Sequence, residues 1–105
     1  MELKPDSFDK IGQLVKKGVK IPNPFSIDIG EEVNIDNISG NGVKLYPGVR
    51  IYGAKTVICS NAQLGSEAPV TIDDCQVGPK VELKGGYFNK AVFLEKANMG
   101  PGAHI

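Results

Sequence analysis

The one histidine of the chain, His104, lies in its last seven residues, MGPGAHI. An imidazole titrates near neutral pH, which suits it to take and return a proton as a general base. An ordinary histidine, exposed to solvent or packed on a loop, is the other reading of the same residue. The acidic pairs Glu31-Glu32 and Asp73-Asp74 could hold a cation or act as general acids. Neighbours on an extended strand face opposite ways, so solvated corners are the plainer reading of both pairs. Cys59 and Cys75 stand 16 residues apart and form no CxxC. With one histidine they cannot complete a zinc set, and no metal site is expected. Neither has a base beside it in sequence, so both read as core filling rather than nucleophiles. Tyr46, Tyr52, Tyr87 and Phe88 could stack a sugar ring, or pack a flank against another subunit.

These residues must be held by a small fold. A chain of 105 residues suits one domain with a modest core. Lysine plus arginine number 12 and aspartate plus glutamate number 12, so the net charge is zero. That balance gives no electrostatic case for nucleic acid or an anionic membrane as partner. The N-terminus, MELKPDSFDK, is charged and carries no apolar signal segment. No apolar stretch approaches the ~20 residues a membrane helix needs. A cytoplasmic, reduced setting is expected. Thirteen glycines and seven prolines with 41% hydrophobic residues describe a folded chain that turns often.

Two segments of unequal kind follow. Residues 1–26 hold one short helix and a linker. The helix is expected over DSFDKIGQLVKKG, residues 6–18, with Asp6 or Ser7 capping its first N–H groups. Phe8, Ile11, Leu14 and Val15 make one apolar stripe at spacings of three and four. Lys16 and Lys17 sit at the negative end of the dipole, Gly18 is the left-handed stop, and Pro22 and Pro24 forbid continuation. A helix this short is marginal alone, so it is expected to cap one end of the following domain; a partner-binding helix is the alternative.

From residue 27 to 105 the period changes to six. Aliphatic or aromatic residues recur as Ile29 and Ile35; Leu45 and Ile51; Ile58 and Leu64; Val77 and Leu83; then Tyr87, Phe93, Met99 and Ile105. Glycine often follows the key residue, as at Gly30, Gly65, Gly78 and Gly100. Four positions after it stands a small or β-branched residue: Val33, Val49, Ala62, Val81, Ala97 and Ala103. A period of six fits neither a helix nor a meander. It describes a triangular coil of three short strands and three corners, with the key residue inward and glycine admitting a corner backbone that other residues resist. About four coils are expected, stacked as parallel strands ~4.8 Å apart. Phase slips place protruding loops at Gly53-Ala54-Lys55, Ser66-Glu67-Ala68-Pro69 and Lys84-Gly85-Gly86. Gly40-Asn41-Gly42 lacks the third glycine and the strand-to-helix setting of a phosphate cradle, and reads as a corner.

The repeated pattern aliphatic-Gly-x-x-small-x resembles the left-handed parallel β-helix, or hexapeptide-repeat, family. The stretches IPNPFSIDIGEEV, ISGNGVKLYPGVRIYG, LGSEAPVTIDDC, LKGGYFNKAVFLEKA and MGPGAHI are similar to the β-helix portion of UDP-N-acetylglucosamine pyrophosphorylase-related proteins. The resemblance implies an all-β fold, a left-handed parallel β-helix with a short N-terminal capping helix. It also implies a transferase setting, because larger relatives join a nucleotidyltransferase domain to a hexapeptide acetyltransferase domain. The nucleotidyltransferase half has no match here. In hexapeptide acyltransferases a histidine acts as general base while acetyl-CoA lies along a groove between neighbouring helices. Carried onto this sequence, that role falls on His104, which follows the small residue Ala103 and precedes the key residue Ile105. The resemblance further implies trimers formed along flat faces, and UDP-sugar or acetyl-CoA as ligand. The zinc-dependent carbonic anhydrases of this fold need three histidines, which one histidine per chain does not supply.

Ile105 falls on a key position with no corner and no cap after it, so the β-helix is expected to be truncated at its C-terminal end or covered there by another subunit. The function expected is the β-helix part of a sugar-nucleotide pyrophosphorylase or acyltransferase-like transferase, inactive alone. The alternative is a non-catalytic structural or oligomerisation module.

Overall fold

The computed structural model describes residues 5–100 and the backbone at 103 and 104, with side chains from residue 9 to residue 98. One helix, α1 (Pro5–Lys17), precedes an all-parallel array of short strands. α1 begins at Pro5, a residue whose fixed φ suits the first helical position. Asp6 and Ser7 therefore lie inside its first turn rather than capping it. Its stop is as the sequence predicts. Gly18 has φ +112°, its N–H donates to Val15 O and the N–H of Val19 donates to Leu14 O, the paired bonds of a Schellman ending. Ile11 and Leu14 are buried in the common core. Val15 is 50% exposed and does not belong to the buried stripe; Phe8 lies outside the described side chains.

The chain then winds through three faces in cyclic order. A first, irregular turn holds β1 (Asp28–Ile29) and β2 (Lys44–Leu45). Three regular turns follow. They are β3 (Arg50–Tyr52), β4 (Val57–Ile58) and β5 (Gln63–Leu64); β6 (Val70–Asp73), β7 (Gln76–Val77) and β8 (Glu82–Leu83); β9 (Gly86–Asn89), β10 (Val92–Phe93) and β11 (Asn98–Met99). β12 (Ala103–His104) returns to the first face. The faces are the sheets β1-β3-β6-β9-β12, β4-β7-β10 and β2-β5-β8-β11. This is the parallel β-helix that the period of six predicts, with the helix packed on its first turn.

Inward side chains stack in columns. Ile29, Ile51, Ile72 and Phe88 share the first face, and Ile58, Val77 and Phe93 the second. Leu45, Leu64 and Leu83 share the third. Each such burial is worth ~1.5–3 kcal/mol, and the column arrangement lets neighbouring turns bury one another. Smaller buried residues fill the space beside the corners: Val33, Thr56 and Cys75 at one, and Val43, Ala62 and Val81 at the next.

Two inward positions differ from the period-of-six reading. On the first turn the inward residue is Ile38, which bridges to Ile58, while Ile35 enters a 3-10 turn, Ile35–Asn37. On the last described turns it is Phe88, paired with Ile72, while Tyr87 pairs with Thr71 and is 43% exposed. For Phe88 the reason is corner length. Five residues, not six, separate Ile72 from Val77 and Phe88 from Phe93.

Those short corners need a left-handed residue, and glycine does not supply it. Asp74 (φ +52°) and Lys90 (φ +56°) continue the corner column begun by Gly53, and Asn61, Lys80 and Lys96 form another with Gly42. Of the glycines that follow key residues, Gly65 has φ +86°, but Gly78 has no positive φ. At Gly78 the constraint is close approach, because a Cβ there would stand 2.7 Å from Phe93 O of the next turn.

Phe88 also meets Phe93 edge-to-face, with ring centroids 5.1 Å apart. Truncation of Phe88 to alanine is expected to lower the unfolding free energy by ~3–5 kcal/mol. Tyr87→Ala is expected to cost under ~1 kcal/mol. Urea denaturation of the two variants checks the inward assignment, and equal costs would refute it.

Candidate functional site

The outward residues of the three faces differ in chemistry. On the first face the row runs Asp28, Arg50, Thr71 and Tyr87, with Tyr52, Asp73 and Asn89 beside it. On the third it runs Lys44, Gln63, Glu82 and Asn98. The second face carries Val57, Gln76 and Val92 in one row. The residue two places further along each of those strands is Cys59, Gly78 or Leu94. Val92 is 62% exposed and Leu94 77% exposed. Between these two rows runs a groove of about 380 Å³, whose lining includes Pro79 and Glu95. Gly78 gives the groove its depth, since any side chain there would collide with the backbone of the next turn. The lining offers an apolar wall, one thiol, one amide and one carboxylate, which suits an apolar segment better than a charged one.

The polar first face is organised by hydrogen bonds between turns. Tyr52 donates its hydroxyl to Asp28 Oδ2 at 2.7 Å. Burial, then the bond to Asp28 and its negative charge, push the Tyr52 phenol from 10.0 up to about 12. Arg50 opposes the shift and Glu32 adds to it.

Glu31, Glu32 and Asp74 lie at corners, as expected, while Asp73 ends strand β6, and one carboxylate of each pair ties two turns together. Glu32 Oε1 accepts from Gly53 N at 3.2 Å. Asp74 Oδ1 accepts from Lys55 N at 3.1 Å. Among the described residues no three metal-ligating side chains gather.

The remaining sequence candidates separate. The backbone of His104 lies on β12 opposite Tyr87, on the first face. Its side chain, and Ile105, lie outside the described residues. The fold places that backbone position on a different face from the apolar groove. Cys75 is buried and donates its thiol to Phe88 O at 3.2 Å, as core filling predicts. Cys59 is not core. It is half-buried and lines the groove. The aromatic flank does not form, since Phe88 is in the core while Tyr52 and Tyr87 stand on the first face and Tyr46 follows β2 of the third. The groove itself is missed by a reading that follows inward residues only. Val57, Val92 and Leu94, apolar residues out of phase with the repeat, are the signal that marks it.

Three parallel sheets wound from one chain, with an inward residue about every six positions, define a hexapeptide-repeat parallel β-helix. Within that class the chain fits the hexapeptide-repeat β-helix portion of GlmU-like proteins. It is 32% identical over 96 residues to the bifunctional protein GlmU of Carboxydothermus hydrogenoformans, covering 91% of this chain and 20% of that protein. It is 32% identical over 91 residues to the bifunctional protein GlmU of Staphylococcus haemolyticus, covering 87% of this chain and 19% of that protein. The chain thus spans about one fifth of the length of the curated relatives it matches. No family model and no solved structure matches the chain. No helix among the described residues is long and apolar enough to cross a membrane.

The two thiols are expected to differ in reactivity. Iodoacetamide should label Cys59 in the native protein and reach Cys75 only on unfolding, which peptide mass spectrometry reads directly. For Tyr52 the folded pKa lies above the unfolded one. Its contribution to stability is therefore present below pH 10 and lost as pH rises through about 12. A phenolate absorbance titration should show one late-titrating tyrosine, and Asp28→Asn should move it back toward the ordinary range.

Proposed function

We propose that this chain is the β-helix part of a sugar-nucleotide transferase, related to pyrophosphorylases and acyltransferases and catalytically silent by itself. The observation that carries this reading is the relation to two bifunctional GlmU proteins along about nine tenths of the chain. The ligand class is UDP-sugar or acetyl-CoA, bound when further coils or a second subunit complete the site. His104 is the candidate base, at a position whose register partner, Tyr87, is an outward residue. The setting is cytoplasmic, in keeping with two free thiols.

Self-association belongs to the same reading, with a trimer as the expected form. The apolar second face supports it, since Val92 and Leu94 stand exposed there while the other two faces are polar. That same observation favours the alternative, a non-catalytic oligomerisation module, because it needs no ligand.

One set of measurements separates the two. Native mass spectrometry of the 11.2 kDa chain is expected to show a trimer, and Leu94→Asp to return it to monomer. Calorimetric titration with acetyl-CoA and with UDP-N-acetylglucosamine should show binding to the assembled form if the transferase reading holds. Assembly with no response to either ligand would select the module. Acetyl transfer by the purified chain, abolished by His104→Ala, would overturn the claim that it is silent alone.

A further inference from the structure

The turn beneath α1 is the least regular of the fold. Between β1 and β2 the described chain forms no strand on the second face. It passes through the 3-10 turn Ile35–Asn37 and reaches the next turn there by the bridge Ile38↔Ile58. β1 is the end strand of its sheet. The end of a sheet offers backbone groups to a pairing chain unless something occupies or covers them.

Two ammonium groups of α1 close this end. Lys10 Nζ donates to Gly30 O at 3.1 Å, Glu31 O at 2.5 Å and Val33 O at 2.7 Å. Lys17 Nζ donates to Ile35 O at 2.8 Å and Ile38 O at 2.5 Å. The two lysines are seven residues apart, which puts them about two helical turns apart on one side of α1. Ile11 and Leu14 lie between them in sequence and are buried. Where α1 ends, the backbones of Gly18 and Gly40 meet without room for a Cβ on either. Bonds from a charged donor are stronger than neutral ones, and five such bonds converge on one loop.

We propose that α1 is a charge-held latch. Lys10 and Lys17 hold it across the first turn, keep the loop of residues 30–39 folded, and cover a backbone edge that would otherwise pair with a second copy of this chain. Apolar packing of Ile11 and Leu14 positions the helix, and the ammonium groups fix the loop. Loss of both charges frees the loop without dissolving the regular turns, which are stacked by their own hydrogen bonds.

The test uses the full chain with Lys10→Met and Lys17→Met together, which keeps most of each aliphatic stem and removes the donors. Hydrogen exchange at Val33, Asn37 and Ile38, whose N–H groups bond within the loop, is expected to quicken at least tenfold. Exchange at Cys59, Gln63 and Gly65, bonded to the next turn, is expected to stay unchanged. Sedimentation should show species larger than those of the parent chain at equal concentration. Lys10→Arg with Lys17→Arg should restore both readouts. Unchanged exchange in the loop overturns the latch, and faster exchange without larger species overturns the covered edge. If the double variant fails to fold, the single Met variants are read against the corresponding single Arg variants. An Arg variant that folds no better than its Met counterpart also overturns the proposal.

Discussion

Backbone hydrogen bonds between successive turns hold every strand of this fold in register, and a slip of one residue would turn each inward side chain out to water. On the first face, Asp28 pairs with Arg50, Arg50 with Thr71 and Thr71 with Tyr87. The first two steps span 22 and 21 residues and the third spans 16. The inward columns nevertheless stay aligned. Loops of different length are absorbed at corners, and the strands, two to four residues each, keep their pairing. Corner geometry is therefore the condition on which the core depends. A corner that closes in too few residues must adopt a left-handed backbone, which costs an ordinary residue ~1–2 kcal/mol. Asp74 and Lys90 do so, and Asn61, Lys80 and Lys96 take the same conformation in corners of six. The stacking of the neighbouring turns holds them there.

That condition explains which parts of the fold are legible in the amino-acid sequence. Aliphatic residues at a spacing of six mark Leu45, Ile51, Ile58, Leu64, Val77 and Leu83, all buried as expected. The spacing fails where a corner closes in five residues rather than six. Tyr87 stands six residues before Phe93 and fits the period, yet Phe88 is the inward residue because Lys90 closes the corner one residue early. Lysine carries no signature of the left-handed region, so no reading of residue types would find this. Ile38 is hidden differently. The loop that precedes it is held by α1, and the helix that supplies Lys10 and Lys17 lies about twenty residues away in sequence.

The site is less legible than the fold because outward residues answer to no repeat. Inward positions are constrained at every turn by the side chains above and below. Outward positions are constrained only by what they touch, and here several touch neighbouring turns. Glu32 and Asp74 resemble a chemist's carboxylates in the sequence and serve as ties between backbones. Tyr52 reads as a stacking surface and is held instead by Asp28. Cys59 reads as core and lies on a groove, since its neighbour Ile58 takes the inward place. The residues that do define an unusual surface, Val57, Val92 and Leu94, are chemically the plainest in the chain.

A solenoid has two kinds of surface, its faces and its ends, and partners use them differently. A face presents side chains, so its affinity is set by which residues point outward, and the apolar character of the second face gives it a hydrophobic gain on burial that the polar first and third faces lack. An end presents backbone, whose unpaired groups will accept any strand of suitable length with little regard to sequence. An open end would compete with a selective face for the same copies of the chain, and the product would be filaments rather than closed assemblies. Covering the first turn with α1 removes that competition at one end. The cover is itself selective, because its lysines reach carbonyls in a loop whose shape only this first turn has. In this chain side-chain charge thus meets the backbone carbonyls of the first turn, while the second face is the one whose exposed side chains are apolar.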